Sequence, residues 1–367
     1  MINSTKTYPY EPNYAVSPGE ILEEHLDAIG MNQKELALRT GLTEQSIVRI
    51  LQGEQPVTVN TANKLELVLG VPARMWNNLE ALYRERLAKI AEKSLHESNI
   101  AWLKTVPWKE LVKRKVVPNE KDKAALVKHV LAFFGVGNVE QFHAYWKQQL
   151  QSVAARKSQS FASELGPTSM WIRLGELQAH AIDTNPFDKK KFRQALYDIR
   201  ALTNESPSSF EPKMRTLCAD AGVALCFERG IAKAPWHGAS RWLSPDKAML
   251  LLSLRGKRDD QFWFSFFHEA GHILHDSKKE MFLNDGHSDD PSEQKANDFA
   301  SEILIPKKHD KEIETFTTEN ELYKLADTLN IAPGIVAGRY QYLHGNFKKF
   351  NNLKRTLKWA DGARATA

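Results

Sequence analysis

From Ser17 to Leu202 apolar residues recur at helical spacing, and the pattern changes only after Pro212. A series of short helices is predicted ahead of a polar stretch at Ser94–Asn99. Helical spacing then continues through Asp122–Phe134 and Lys189–Leu202. Two further stretches, Lys157–Ser169 and Asn204–Pro212, have the Ser, Gly and Pro content of joints. Beyond the last joint, Lys213–Ala221 reads as a helix and Gly222–Glu228 as a strand. Ala248–Leu254 is a continuous apolar run with the length of a strand, and helices are predicted over Asp260–Asp276 and Pro291–Ile305. A helical pair fills Glu319–Tyr342, and the tail Asn352–Ala367, basic and then small and polar, reads as disordered. The fold class is therefore multidomain: an all-α domain and a helical middle region, followed by an α+β domain with a small sheet. The divisions fall at a polar arm (residues 1–16), a first domain (17–93), the helical middle (94–209), the α+β domain (210–345) and the tail (346–367).

Composition changes this picture little. The 367 residues carry a formal charge of +5, a mild basic excess that permits nucleic-acid binding without demonstrating it. Lysine runs such as Lys189-Lys190-Lys191, Lys278-Lys279 and Lys307-Lys308 read as solvated faces. Two cysteines, Cys218 and Cys226, suit a reducing compartment and read as packing residues. The amino terminus lacks an apolar signal core, and the longest apolar run is too short to span a bilayer, so a soluble, cytoplasmic protein with no membrane partner is expected.

Within Asn32–Gln52, Gln33–Thr40 makes one short helix, Gly41 and Leu42 a turn, and Thr43 caps a second helix running to Leu51. Ala37 is small enough for the two helices to cross closely, and Ile47 and Ile50 point inward. Glu44, Gln45, Ser46 and Arg49 are left outward at the start of the second helix, types able to read base edges. Gln33, with the cap residue Thr43 nearby, is placed for a phosphate or to assist Gln45. A small helical bundle that binds no DNA has the same local pattern. Residues 17 to about 90, in the segments SPGEILEEHL, NQKELALRTGLTEQSIVRILQGEQPVT and ANKLELVLGVPARMWNNLEALY, resemble the HigA-like branch of the XRE helix-turn-helix family. That resemblance implies binding to a double-stranded DNA operator as a homodimer, and a cognate toxin as a possible partner.

Phe267-His268-Glu269-Ala270-Gly271-His272 lies in a predicted helix, where positions i and i+4 share a face. Two imidazoles so spaced suit Zn²⁺, and Glu269 between them can take a proton from a metal-bound water. Downstream, Asp290 and Pro291 form a helix start, and Glu293 shares the apolar stripe of Ala296, Ala300, Ile303 and Leu304. Glu293 could complete a capping box with Asp290, or it could be a third metal ligand that satisfies a buried carboxylate.

The segments FSFFHEAGHILHD and EQKANDFASEILIP resemble the ImmA/IrrE family of metallopeptidases across roughly residues 210–345. The resemblance implies a zincin-like domain with His268, His272 and Glu293 as zinc ligands and Glu269 as general base. It also places Ala248–Leu254 at the substrate-side edge of the sheet. The implied activity is metal-assisted hydrolysis of a regulatory protein, either a partner repressor or this chain's own kind. Candidates for a donor to the oxyanion are His237, His287, His309, Arg339, Tyr340 and His344. His275 reads as helix-end packing, and the acidic loop Asp285–Asp290 as a solvated turn. The alternative is an antitoxin-like repressor whose zinc domain is a non-catalytic sensor or scaffold. A purely structural zinc site is weaker, because such sites are closed by four ligands, often including cysteine.

Overall fold

A computed structural model describes residues 14–151, 153, 165–284 and 290–360. They form two compact units, one drawn from residues up to Ile100 with Glu120–Lys128, the other from Ala101–Asn119 and His129 onward.

The first unit is helical. Helix α1 (Pro18–Ile29) opens on a reciprocal cap: Glu20 N–H donates to Ser17 Oγ at 3.1 Å, and Ser17 N–H to Glu20 Oε1 at 2.9 Å. Helix α2 (Gln33–Thr40) ends at Gly41, whose φ of 66° supplies the left-handed turn. Thr43 then caps α3 (Glu44–Leu51), accepting from Ser46 N–H at 3.1 Å. Helices α4 (Val59–Leu69) and α5 (Ala73–Ser98) follow. Leu22, Leu36, Ala37, Ile47, Ile50, Leu65 and Trp76 form the shared core. Ser94–Asn99, expected to be a joint, is the last turn of α5 and its cap, and the main segment of the first unit ends just beyond it at Ile100. This helix carries i,i+4 pairs such as Arg84–Glu80 (2.6 Å) and Lys89–Glu85 (2.5 Å), and a helix polar around much of its girth gives no apolar stripe to detect.

The second unit contains α6 (Trp108–Lys113), α7 (Lys123–Phe134, from His129), α8 (Val139–Gln149), α9 (Leu165–Ala181), α10 (Lys189–Ala201) and α11 (Pro207–Asp220). Strands β1 (Val223–Phe227), β2 (Gly238–Ser244) and β3 (Lys247–Leu252) come next, then α12 (Asp259–His275), β4 (Met281–Asn284) and α13 (Pro291–Leu304). The chain ends in α14 (Asp310–Glu314), α15 (Glu319–Leu329) and α16 (Pro333–His344) with a packed tail. The sheet order is β1-β3-β2-β4; β1 runs parallel to β3, and β2 is antiparallel to both β3 and β4.

Four expectations are corrected. The strand read as the substrate-side edge is β3, which lies inside the sheet; the edges are β1 and β4. Ala248–Leu252 are fully buried, and a continuous apolar run is what a strand covered on both faces requires. Helix α11 starts at Pro207 after Ser206, so residues read as a joint supply its opening turns, with Phe210 buried. Leu165–Ser169, at the end of the second expected joint, opens α9 and is largely buried; residues 157–164 lie outside the described residues. The first part of the tail is packed, with Leu353 and Leu357 buried, whereas residues 361–367 lie outside the described residues.

That tail clamps the start of α12. Asp259 N–H donates to Arg355 O at 3.0 Å, Arg355 Nε to Asp259 Oδ2 at 2.9 Å, and Lys354 Nζ pairs with Asp260 Oδ2 at 2.6 Å. Burial raises the Asp259 carboxyl above the usual carboxylate range, with the Arg355 guanidinium working against it. Among the described residues no helix is long and apolar enough to cross a membrane. Arg355→Ala should destabilise this unit by about 2–3 kcal/mol, because it leaves a buried carboxylate short of its cation. A lowered urea midpoint for the transition of this unit is the expected reading.

Candidate functional site

Helix α12 is buried along most of its length, so whatever polar groups it carries must be satisfied inside the protein. His268 and His272 lie one turn apart on the same face, with Glu269 beside them; all three are buried. Helix α13 packs against α12 and opens on Asp290, which accepts from Ser292 N–H at 2.9 Å, followed by Pro291. Its buried stripe is Glu293, Ala296, Ala300, Ile303 and Leu304. The Glu293 carboxylate faces the imidazoles: Oε2 is 3.1 Å from His268 Nε2, and Oε1 is 3.6 Å from His272 Nε2. The two Nε2 atoms are 3.1 Å apart. One ligand atom from each of the three residues lies within 4.8 Å of the others, so together they could hold a metal ion.

The far sides of both rings fix what the near sides offer. His268 Nδ1 is 2.9 Å from Asn297 Oδ1, and His272 Nδ1 is 2.7 Å from Asp276 Oδ2. With each ring proton placed on Nδ1, both Nε2 lone pairs face the Glu293 carboxylate, and only a cation or a proton relieves three crowded acceptors. The same crowding governs titration. Burial disfavours a charged His272 ring, yet Asp276, Glu293 and Glu269 together raise it to about 9. Burial likewise pushes Glu293 up, but hydrogen bonds and charge from His268 and His272 hold it well below the carboxylate range. The donor set therefore fits a divalent ion. Asp276 and Asn297 were missed as site residues, although each stands four places beyond a candidate ligand, the helical signal that would have found them.

Glu269 is set apart from this exchange. Neither of its carboxylate oxygens has a partner at full hydrogen-bond geometry among the described residues, although the Ser240 hydroxyl of β2 is near enough to favour its charged form. Burial pushes it up to about 7, opposed by the positive potential of His268 and His272. Strand β2 passes close by, and a Cβ on Gly238 would come within 2.6 Å of Glu269 Oε1, so the strand approaches the carboxylate as only glycine allows. The edge strand β4 closes another side, where the Phe282 ring stacks on His272 at 4.0 Å between centroids.

A cleft of about 680 Å³ opens beside His268 and Glu293. Of the candidate oxyanion donors, His237 and Arg339 border it, Arg339 in a two-point pair with Asp310 at 2.9 and 2.6 Å. His309 lies against Glu312, and Tyr340 is stacked on His344, whose ring nitrogens meet the carbonyls of Tyr340 and Glu314. His287 and the first five residues of the acidic loop, 285–289, lie outside the described residues. His275 packs edge-on against Phe299 at the end of α12. Both cysteines are buried, and burial pushes the Cys226 thiol up to about 12.

In the first unit, Gln33, Thr43, Glu44, Gln45 and Arg49 are exposed, and Ser46 is half-buried. Thr43 and Ser46 are also bonded to each other, Oγ1 to Oγ at 2.9 Å, and Arg49 lies 3.8 Å from Glu54.

A turn of this kind, with one polar helix face outward, is the arrangement of a helix-turn-helix domain, and the His-Glu-x-x-His helix facing a buried third carboxylate is that of a metallopeptidase-like domain. The comparisons agree. Residues 22–76 match the helix-turn-helix family, and residues 218–339 match the IrrE N-terminal-like domain, a peptidase family. The uncharacterized HTH-type transcriptional regulator YddM of Escherichia coli is 33% identical over 88 residues, 24% of this chain and 90% of that protein. Virulence-associated protein I of Dichelobacter nodosus is 30% identical over 83 residues, 22% of this chain and 77% of that protein. The chain belongs to the XRE-type helix-turn-helix family and carries an IrrE N-terminal-like domain after it.

Two outcomes are expected of this geometry. Asp276→Asn should weaken divalent-metal affinity about 10- to 100-fold, measured by competition with a chelator. Gly238→Ala should displace the Glu269 carboxylate and leave that affinity unchanged, which the same titration and a crystal structure would check.

Proposed function

We propose that the second unit is a zinc-dependent endopeptidase that hydrolyses a regulatory protein, either a partner repressor or another copy of this chain. The first unit would bind an operator in double-stranded DNA as a homodimer. The observation that carries the reading is a buried constellation in which His268, His272 and Glu293 converge with Glu269 buried beside them. Ligands bound about 2.0–2.1 Å from one tetrahedral ion stand about 3.3 Å apart. The Nε2–Nε2 separation of 3.1 Å and the 3.1 Å from His268 Nε2 to Glu293 Oε2 are close to that spacing. Three protein ligands also leave a fourth position open, as a catalytic site needs.

When bound, zinc supplies Lewis-acid polarisation of a water and of the scissile carbonyl. Glu269 takes the proton from the attacking water and returns it to the leaving amine. Burial pushes Glu269 up to about 7 without an ion, and a bound divalent cation would favour its carboxylate form, the form that accepts a proton. Asn297 and Asp276 hold the two imidazoles in the tautomer that keeps Nε2 free of a proton. His237 and Arg339, which border the cleft, are the candidate donors to a developing oxyanion. A DNA-binding regulator and a peptidase-like domain on one chain support a substrate of the repressor class, because cutting it would change operator occupancy. In the first unit, Glu44, Gln45, Ser46 and Arg49 would face base edges, and Gln33 and Thr43 the phosphates.

The test compares wild type with His268→Ala and Glu269→Gln. Elemental analysis should find about one zinc per chain in wild type and Glu269→Gln and none in His268→Ala. Glu269→Gln should keep DNA binding while cleavage of repressor falls by about 100- to 10,000-fold. A wild-type protein that binds zinc and DNA but cuts neither repressors nor its own kind would instead be the antitoxin-like repressor, its zinc domain a sensor and a cognate toxin its partner.

A further inference from the structure

We propose that Arg258 is a carboxylate-recognising residue of the cleft, so that the site, on the peptidase reading above, takes polypeptides bearing a carboxylate on that side. The cleft lined by His268 and Glu293 extends along α12 to its N-terminal end, where Arg258 borders it. The other cations along it are matched: Lys307 to Asp298 at 2.9 Å, Arg339 to Asp310 at 2.6 Å, and Lys354 to Asp260 at 2.6 Å. Arg258 is not. Its Nη1 donates to Lys354 O and Thr356 Oγ1, both at 3.2 Å and both neutral. The two acids that follow it in sequence are committed elsewhere, Asp259 to Arg355 and Asp260 to Lys354.

A half-buried guanidinium anchored through one nitrogen is oriented in advance, and its Nε and Nη2 have no partner among the described residues. Nε and Nη2 form the fork that binds a carboxylate at two points. Along the cleft wall the three ion pairs cancel, which leaves the Arg258 guanidinium without a counter-charge among the described residues. The shared chemistry is a carboxylate, supplied by a Glu or Asp side chain or by a free chain terminus. Ten residues of helix separate Arg258 from His268, about 15 Å, which an extended peptide covers in about four or five residues. The recognised carboxylate thus stands about three to five residues from the scissile bond.

The test uses the full-length Glu269→Gln protein loaded with zinc, titrated with fluorescein-labelled, amidated dodecapeptides of Ala and Ser. In one set a single Glu is moved along the peptide, in a second Gln replaces it, and in a third the Gln peptides end in a free carboxylate. At one position Glu should bind about 10- to 100-fold tighter than Gln. That preference should fall to about one in the added variant Arg258→Gln and survive in part in Arg258→Lys, which keeps the charge. A gain confined to the third set assigns the carboxylate to a chain terminus. No gain in any set, or a gain that Arg258→Gln does not alter, overturns the assignment. Wild-type protein that fails to cut a preferred peptide refutes the peptidase reading and leaves the carboxylate site standing.

Discussion

Everything in the second unit is arranged around one electrostatic difficulty: two carboxylates, Glu269 and Glu293, are held in the interior beside two imidazoles. Unpaired, such groups would cost several kcal/mol each, enough to consume much of the stability of an ordinary domain. Glu293 is relieved by the rings it faces, and the rings by Asp276 and Asn297 behind them. Glu269 has less relief: the two rings and the Ser240 hydroxyl oppose its burial without cancelling it, and its proton affinity stays near neutrality. The packing of α13 on α12 and the passage of β2 at Gly238 follow from the need to keep water out while holding these groups in place.

The helical middle is part of this solution. Glu228, just past β1, accepts from Arg114 and from Gln178 at 2.8 Å, and Glu176 of α9 bonds Arg173 at 2.9 Å and Arg241 of β2. Trp236 Nε1 donates to Thr168 Oγ1 at 3.0 Å. Helices that carry no chemical motif therefore brace the sheet from which the site is built. Burial raises Glu228 even with Arg114 beside it, which marks the contact as interior.

What the sequence disclosed was local. The turn at Gly41, the cap at Thr43, the pairing of His268 with His272 and the Asp290-Pro291 start of α13 each rest on residues a few places apart, where one chemical rule decides the outcome. The stripe through Glu293 was legible for the same reason. What stayed hidden depends on partners far along the chain. Strand β4 has only four residues, and β2 mixes Gly, Ser and Arg with Trp, so neither carries the alternation of a half-buried strand. The tail looked like a basic coil because the acids that neutralise Lys354 and Arg355 lie at the start of α12. Asp276 and Asn297 were in view, but their role emerges only once both rings are oriented.

The clamp on α12 also has a consequence in time. Asp259 and Arg355 are 96 residues apart in the chain, whereas the helix-turn-helix unit is built mostly from the first hundred residues. During synthesis the helix-turn-helix unit is made largely before the second, and the His268 helix gains this brace only once Arg355 has been made. A nascent chain thus completes the core of its helix-turn-helix unit before the start of α12 is clamped.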